Sequence, residues 1–192
     1  CSSDLVYPRT VTDPETVWPF VFTSLTGGGA AFTDMGGKVP FLSPEVSTQI
    51  DGRYFSTSCQ SCTGPAQPVA VRGAITGTGV LRFGTGGVDA VGNGTSTKAD
   101  RNAFYHLTIV RFVAKKWLSI GWLDATFPAN VNINASCNAY YDGASVNFYR
   151  SSGSCNNTGE IADIMQHEWG HGLDGNTLPG DGATGEATAD TT

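Results

Sequence analysis

The chain has 192 residues, of which 40% are hydrophobic and 15% are charged, and its net charge is −6 at pH 7. The hydrophobic content is too high for a disordered chain, and the length allows a buried core in one domain or in two small ones. The acidic balance argues against a nucleic-acid partner, which needs a basic patch, and no apolar run reaches the ~18–20 residues of a membrane span.

Residues 1–95 are predicted to form a β-rich, sandwich-like region. Glycine-rich turns such as Gly27-Gly28-Gly29 and Gly84-Thr85-Gly86-Gly87 separate short β-leaning runs there. These runs cover residues 17–22, 30–32, 38–42, 53–55, 69–75 and 80–83. No cluster of titratable side chains occurs in the region, so we expect an accessory or amino-terminal role, with a carbohydrate- or peptide-binding surface as the alternative.

Five cysteines indicate disulfides and therefore a secreted, extracellular protein. Cys137 and Cys155 flank an aromatic segment that a disulfide between them could staple. Cys59 and Cys62 could close on each other, bind a metal or act as a redox pair, although no βαβ pattern surrounds them. Cys1 is the expected unpaired cysteine, and a lipid anchor on it is a weaker alternative. Without an initiating Met or an apolar leader, the chain is expected to be a processed or trimmed product.

Residues 99–118 are predicted to be helical because apolar positions recur with a period near 3.6. The stripe consists of Phe104, Leu107, Val110, Arg111, Ala114 and Leu118. His106 lies in this helix and is expected to be packed or solvated rather than a ligand. Trp117 and Trp122 are expected in the core.

Three strands are predicted next, over residues 130–135, 138–141 and 144–149, with a turn at Asp142-Gly143. A strand at the edge of a sheet has unpaired N–H and C=O groups that can hold an extended peptide. Asn138 and Ala139 are therefore the candidate substrate-binding residues.

The most specific motif is His167-Glu168-Trp169-Gly170-His171. On a helix, positions four apart share a face, so both imidazoles can bind one zinc ion, and Glu168 lies beside it as a general base. Random placement of the three His and five Glu of this chain predicts roughly 0.001 such motifs, so chance explains the motif poorly.

The predicted helix begins near a capping box formed by Asn157 and Glu160 and stops at Gly175. Its buried stripe comprises Ile161, Ile164, Met165 and Leu173. Gly170 and Gly172 weaken the helix, which a close backbone neighbour would explain.

Catalytic zinc normally has three protein ligands and a water molecule. Glu186 is the preferred third ligand, and Asp190, one turn further along, would hold a ligating imidazole by hydrogen bonding to its free N–H. Asp174 and Asp181 compete with Glu186 as ligands. Asp174, Asp181 and Asp190 are also candidate calcium ligands, although spaced acids alone do not establish a calcium site.

Three stretches of the chain resemble the gluzincin metallopeptidases of the thermolysin and fungalysin type. These are His167-Glu168-Trp169-Gly170-His171-Gly172, Gly185-Glu186-Ala187-Thr188-Ala189-Asp190 and Asn138-Ala139-Tyr140-Tyr141-Asp142-Gly143. The resemblance is most specific over residues 137–190 and says little about the first ninety. It implies an α+β fold in which residues 96–192 are the first part of a zincin catalytic domain, with the motif helix beside an edge-strand sheet. It also implies a later helical part, in this or another segment, that supplies a His or Tyr to the oxyanion.

The predicted function is thus that of a secreted zinc endopeptidase that acts on peptide or protein substrates, with Glu168 as general base. Two alternatives stay open: a β-rich extracellular binding module with a non-catalytic zinc site, and a different zinc hydrolase with an Asp as third ligand.

Overall fold

The computed structural model describes residues 3–6, 16–17, 19–25, 29–38, 43–61, 71–75, 80–82 and 97–177. These residues contain eleven strands and two α-helices, and so have the predicted α+β composition. In chain order the elements are β1 (Ser3–Val6), β2 (Thr16–Val17), β3 (Val21–Leu25), β4 (Gly29–Phe32), β5 (Ser43–Gly52), β6 (Phe55–Cys59), β7 (Val71–Ile75), β8 (Val80–Arg82), α1 (Lys98–Lys115), β9 (Phe127–Ile133), β10 (Ala139–Tyr141), β11 (Val146–Tyr149) and α2 (Ala162–Thr177).

A large mixed sheet connects the two halves of the described chain. Its strand order is β10-β11-β9-β6-β5-β3-β4, and β7 also pairs with β5. Strands β6, β9 and β11 are parallel, whereas β10 is antiparallel to β11. Strands β1, β2 and β8 form a separate three-stranded sheet. The large sheet continues across the predicted boundary near residue 95, and the division into two regions stays a prediction.

Helix α1 begins with a capping box. Thr97 Oγ1 accepts the backbone N–H of Asp100 at 3.1 Å, and Asp100 Oδ2 accepts the N–H of Thr97 at 3.0 Å. The helix lies in sequence between the parallel strands β6 and β9, and Cys59 ends β6. Strands β7 and β8 lie in sequence between β6 and α1, and Cys62 lies outside the described residues, so the expectation that no βαβ pattern surrounds Cys59 and Cys62 stays a prediction.

The hydrophobic core lies where α1 and α2 pack against the large sheet. Among the described residues, its largest fully buried apolar side chains are Ile50, Phe55, Phe104, Leu107, Leu123, Phe148, Met165 and Trp169. Burial of each such side chain stabilises the fold by about 1.5–3 kcal/mol. The predicted helix is confirmed as α1, with Phe104, Leu107, Val110 and Arg111 all buried, but it ends at Lys115, three residues before the predicted end at 118.

A buried polar network joins the start of α1 to the segment before α2. The Asn132 amide donates to Thr97 Oγ1 at 3.0 Å and to Cys59 Sγ at 3.2 Å. The Asn157 amide in turn donates to Asn132 Oδ1 at 2.7 Å. Asn132 has a left-handed backbone with φ of 54°, which Asn tolerates better than most residues. These bonds fix the position from which the chain enters α2.

Three local predictions are wrong. Trp117 is 83% exposed rather than in the core, because it follows the C-cap Lys116 and lies outside α1. Asn157 caps a short 3₁₀ helix (Thr158–Glu160), and α2 starts only at Ala162. Gly175 does not stop α2, which continues to Thr177.

The sequence patterns also missed β5, the longest described strand. Its residues Ser43–Gly52 are mostly polar, so they show no apolar alternation. The strand forms because β3 and β7 pair with it from opposite sides. Trp122, by contrast, packs against the core as expected.

Candidate functional site

The two imidazoles of the motif converge on one side of α2. His167 and His171 are one helical turn apart, and their Nε2 atoms are separated by 3.1 Å, with the rings nearly perpendicular at 85°. Two Zn–N bonds of about 2.05 Å that diverge by about 100° place their nitrogens about 3.1 Å apart, so the pair fits a shared zinc ion. The same separation suits an Nε2–H···Nε2 hydrogen bond, so a proton and a metal would compete for these nitrogens.

Glu168 is 8% exposed and lies next to the first imidazole in sequence. It follows His167 by about 100° around the helix, and it lines the same cleft as His167. A carboxylate in this position can accept a proton from a group bound between the imidazoles. Glu168 and His167 thus line one cleft, and the role of Glu168 as a general base stays a prediction.

The opposite side of α2 is held by aromatic packing. Trp169 is 1% exposed, and its ring centroid lies 5.3 Å from that of Trp122. A Cβ added at Gly172 would lie 2.8 Å from Trp122 Cζ2 and 3.2 Å from Tyr141 Cε2. The predicted close neighbour of Gly172 thus exists, but it consists of aromatic side chains rather than backbone. This packing fixes the rotation of α2 and hence the direction of His171.

Strand β10 is the terminal strand of the described sheet and presents a backbone edge. In the turn after β10, the N–H of Asp142 donates to the carbonyl of Ser145 at 3.2 Å. Residues 142 and 145 thus form a hydrogen-bonded pair, and the observed register pairs Tyr140 with Asn147 and Ala139 with Phe148. Because such pairs alternate in an antiparallel ladder, the N–H and C=O of Ala139 point away from β11. They face the open edge, where an extended peptide can pair.

A cleft of 400 Å³ lies between this edge and α2. Its lining includes Cys137, Asn138, Ala139, Thr158, Asp163, Ile164, His167 and Glu168. The structure therefore brings the two predicted substrate-binding residues, Asn138 and Ala139, to the same cleft as His167 and Glu168. The predicted disulfide between Cys137 and Cys155 is confirmed, with a Cα–Cα distance of 5.4 Å, and it borders this cleft.

The turn that follows β10 is ordered by one carboxylate. Asp142 Oδ1 accepts the N–H groups of Ala144 at 2.8 Å and Ser145 at 2.6 Å, and Oδ2 accepts the Ser145 hydroxyl at 2.9 Å. Desolvation of the carboxylate favours the neutral acid, but these bonds and one from Asn147 outweigh it and lower the pKa of Asp142. The predicted turn is present, with Gly143 at a φ of 92°.

Tyr141, on the helix-facing side of β10, keeps its proton more firmly than an exposed tyrosine does. Burial is the main reason that its pKa is raised, and the nearby charge of Asp142 adds to the effect, while a hydrogen bond with Asn176 opposes it. Its hydroxyl donates to the carbonyl of Gly143 at 3.0 Å. The residue thus ties the turn after β10 to the side of α2.

The predicted third ligand, Glu186, lies outside the described residues, as do Asp181 and Asp190. Within the ranges that the structure describes, no group of three His, Cys, Asp or Glu side chains could hold a metal ion. Asp174, which is 8% exposed on α2, is therefore not assembled there with the two imidazoles. The predictions for Glu186 as ligand and Asp190 as its hydrogen-bonding partner, and those for zinc and calcium, stay predictions.

Sequence reasoning missed Thr158, Asp163 and Ile164 as cleft residues. Asp163 and Ile164 precede His167 and Glu168 by four positions, so helical periodicity alone would have placed them on the same face. Thr158 carries no comparable signal, because it reaches the cleft only through the fold.

Comparison with protein-family models and with curated proteins finds no match to this chain. Within the described residues, neither helix is long and apolar enough to cross a membrane.

Proposed function

We propose that this protein is a secreted zinc endopeptidase of the gluzincin type. One observation carries the proposal: the Nε2 atoms of His167 and His171 meet 3.1 Å apart beside a cleft whose far wall is an open strand edge. An imidazole pair alone would suit a structural zinc site. The adjacent Glu168 and the peptide-sized cleft favour hydrolysis of an extended chain.

The edge of β10 would bind the substrate backbone. The outward N–H and C=O of Ala139 can each form one ladder hydrogen bond with an extended peptide, and Asn138 adds a side-chain amide at the same end of the cleft. Each such bond contributes about 0.5–1.5 kcal/mol net, and together they would orient a scissile amide toward α2.

His167 and His171, with Glu186 as the proposed third ligand, would hold zinc. When bound, the zinc would supply an activated water molecule and polarise the scissile carbonyl. Glu168 would accept the proton of the attacking water and then transfer it to the leaving amine. Burial of Glu168 limits competing solvent contacts during both transfers. As the resemblance implies, the proposal also includes a later helical segment, in this or another segment of the protein, that would donate a hydrogen bond to the oxyanion.

The decisive experiment measures hydrolysis of fluorescein-labelled casein by the full-length protein, with and without 1,10-phenanthroline. We expect hydrolysis that the chelator abolishes and zinc restores. Glu168→Gln keeps the side-chain size and should retain zinc while losing at least about 10²-fold in rate. Chelator-insensitive hydrolysis, or full activity of the Gln variant, would contradict the proposal. Stoichiometric zinc without any hydrolysis would favour the binding module instead.

A further inference from the structure

The hydroxyl of Thr158 lies between two strands at the end of the cleft. Thr158 Oγ1 accepts the backbone N–H of Tyr149 at 2.8 Å, and it lies 3.0 Å from the carbonyl of Asn138 and 3.2 Å from that of Tyr149. Thr158 is 8% exposed, so water competes little for these bonds. A hydroxyl has one proton to donate, which the two carbonyls share.

This position is where the ladder between β10 and β11 would continue. Hydrogen-bonded and non-hydrogen-bonded pairs alternate along the antiparallel ladder. Tyr140 and Asn147 form a hydrogen-bonded pair, so the next such pair would be Asn138 and Tyr149. The described strand β10 begins only at Ala139. The Thr158 hydroxyl replaces the missing rung, since it joins the Tyr149 N–H to the Asn138 carbonyl. Asn138 is thereby attached to the sheet through a side chain rather than directly.

Thr158 also belongs to the opposite wall of the cleft. It starts the 3₁₀ helix (Thr158–Glu160) that leads into α2. Ile161 follows this 3₁₀ helix, and its carbonyl accepts the N–H of Met165 in α2. The Cys137–Cys155 disulfide makes a second link between the same two segments. Cys155 precedes Thr158 by three residues, and Cys137 directly precedes Asn138. The strand edge and the approach to the motif helix are thus tied at two neighbouring points.

We propose that Thr158 is a positioning residue that sets the spacing between Asn138 and the helix that carries His167. This inference rests on the proposed peptidase function and adds a residue that does not contact the reacting atoms. Loss of the hydroxyl would leave the Tyr149 N–H and the Asn138 carbonyl without their bridge. The end of the edge strand would then shift, while the imidazoles and Glu168 would keep their arrangement.

The test compares Thr158→Val, which keeps the shape and removes the hydroxyl, with Thr158→Ser, which keeps the hydroxyl. The substrate is a fluorogenic decapeptide that spans a bond cleaved in casein. We expect Thr158→Val to raise KM about five- to tenfold with kcat changed less than about threefold, and Thr158→Ser to stay within about twofold of the wild type. Equal KM values for the two variants, or a loss confined to kcat, would overturn the proposal.

Thr108→Val serves as the matched control. Thr108 is 1% exposed on α1, and its hydroxyl has no hydrogen-bond partner in the part of the chain that the structure describes. Replacing this threonine by valine should leave both KM and kcat unaltered. A KM rise as large as that of Thr158→Val would show a general effect of the substitution and overturn the positioning role.

A measurement on the wild-type protein keeps the proposal testable if the Val variant folds poorly. By NMR, the Tyr149 amide should exchange with deuterium as slowly as the amides of the β10–β11 ladder, because Thr158 holds it. Fast exchange at Tyr149 would overturn the proposal. If the wild-type protein does not cleave casein, the proposed peptidase function is wrong. Normal cleavage together with an unchanged KM in Thr158→Val refutes only the positioning role of Thr158.

Discussion

The indole of Trp122 lies directly against Gly172 of α2, so close that a Cβ there would come within 2.8 Å of Cζ2. In the same helix, a Cβ at Gly175 would meet nothing within 4 Å. The two glycines therefore differ in packing although they are three residues apart. This difference gives a matched pair of substitutions.

Gly175→Ala should stabilise the protein by about 0.5–1 kcal/mol, because alanine favours the helix and has free space. Gly172→Ala should destabilise it by about 1–3 kcal/mol, because the methyl group displaces Trp122 or Tyr141. Urea unfolding of both variants measures the difference. Equal effects at the two sites would contradict the packing described for α2.

Zinc binding should depend on two of the three histidines. His167→Ala and His171→Ala each remove one proposed ligand, so we expect zinc content, measured by mass spectrometry after dialysis, to fall from about one ion per chain to well below half. His106→Ala is the control, because His106 lies on α1 and contacts Tyr105 edge-on. Retained zinc in both motif variants would exclude the proposed site.

The Cys137–Cys155 disulfide closes a segment with a sequence separation of 18. Loop-closure entropy predicts that the double variant Cys137→Ser/Cys155→Ser loses about 3 kcal/mol of unfolding free energy. We also expect its KM for the decapeptide to rise, since the disulfide borders the cleft. A stability equal to that of the wild type in guanidinium unfolding would show that the cross-link contributes nothing.

Asp142 should make the stability of the protein depend on acidic pH. Its folded pKa is lowered, so the folded state binds fewer protons at this site than the unfolded state, whose Asp pKa is about 3.9. The stabilising contribution is therefore complete above that unfolded value and is lost as the pH falls through the folded pKa. Asp142→Asn cannot titrate. The stability gap between wild type and Asp142→Asn should shrink between about pH 5 and pH 2, and a constant gap would refute this account.

Thr108→Val should stabilise the protein by about 1 kcal/mol, because among the described residues the buried Thr108 hydroxyl has no partner to lose. Thr108→Ser, which keeps the hydroxyl and removes the methyl group, should instead destabilise it by about 1 kcal/mol. Thermal unfolding of the two variants measures whether each one is more or less stable than the wild type. A destabilised Val variant would mean that the hydroxyl is hydrogen-bonded in solution.

Helix α1 and the pairing of the two motif histidines on α2 follow from short-range rules. A period of 3.6 places Phe104, Leu107 and Val110 on one buried face, and a spacing of four puts His167 beside His171. The hairpin turn at Asp142-Gly143 likewise depends on one carboxylate that accepts the backbone N–H groups of Ala144 and Ser145, two and three residues further along the chain. Such features depend on neighbours a few positions away, so the amino-acid sequence determines them without knowledge of the fold.

Strand β5 and the bridging hydroxyl of Thr158 are decided by the tertiary structure. The polar residues of β5 form a strand because β3 and β7 supply hydrogen-bond partners from distant parts of the chain. Thr158 reaches the edge strand only after β10, β11 and the start of α2 have assembled around it. Each of these outcomes depends on contacts between residues far apart in sequence, which periodicity and spacing do not encode.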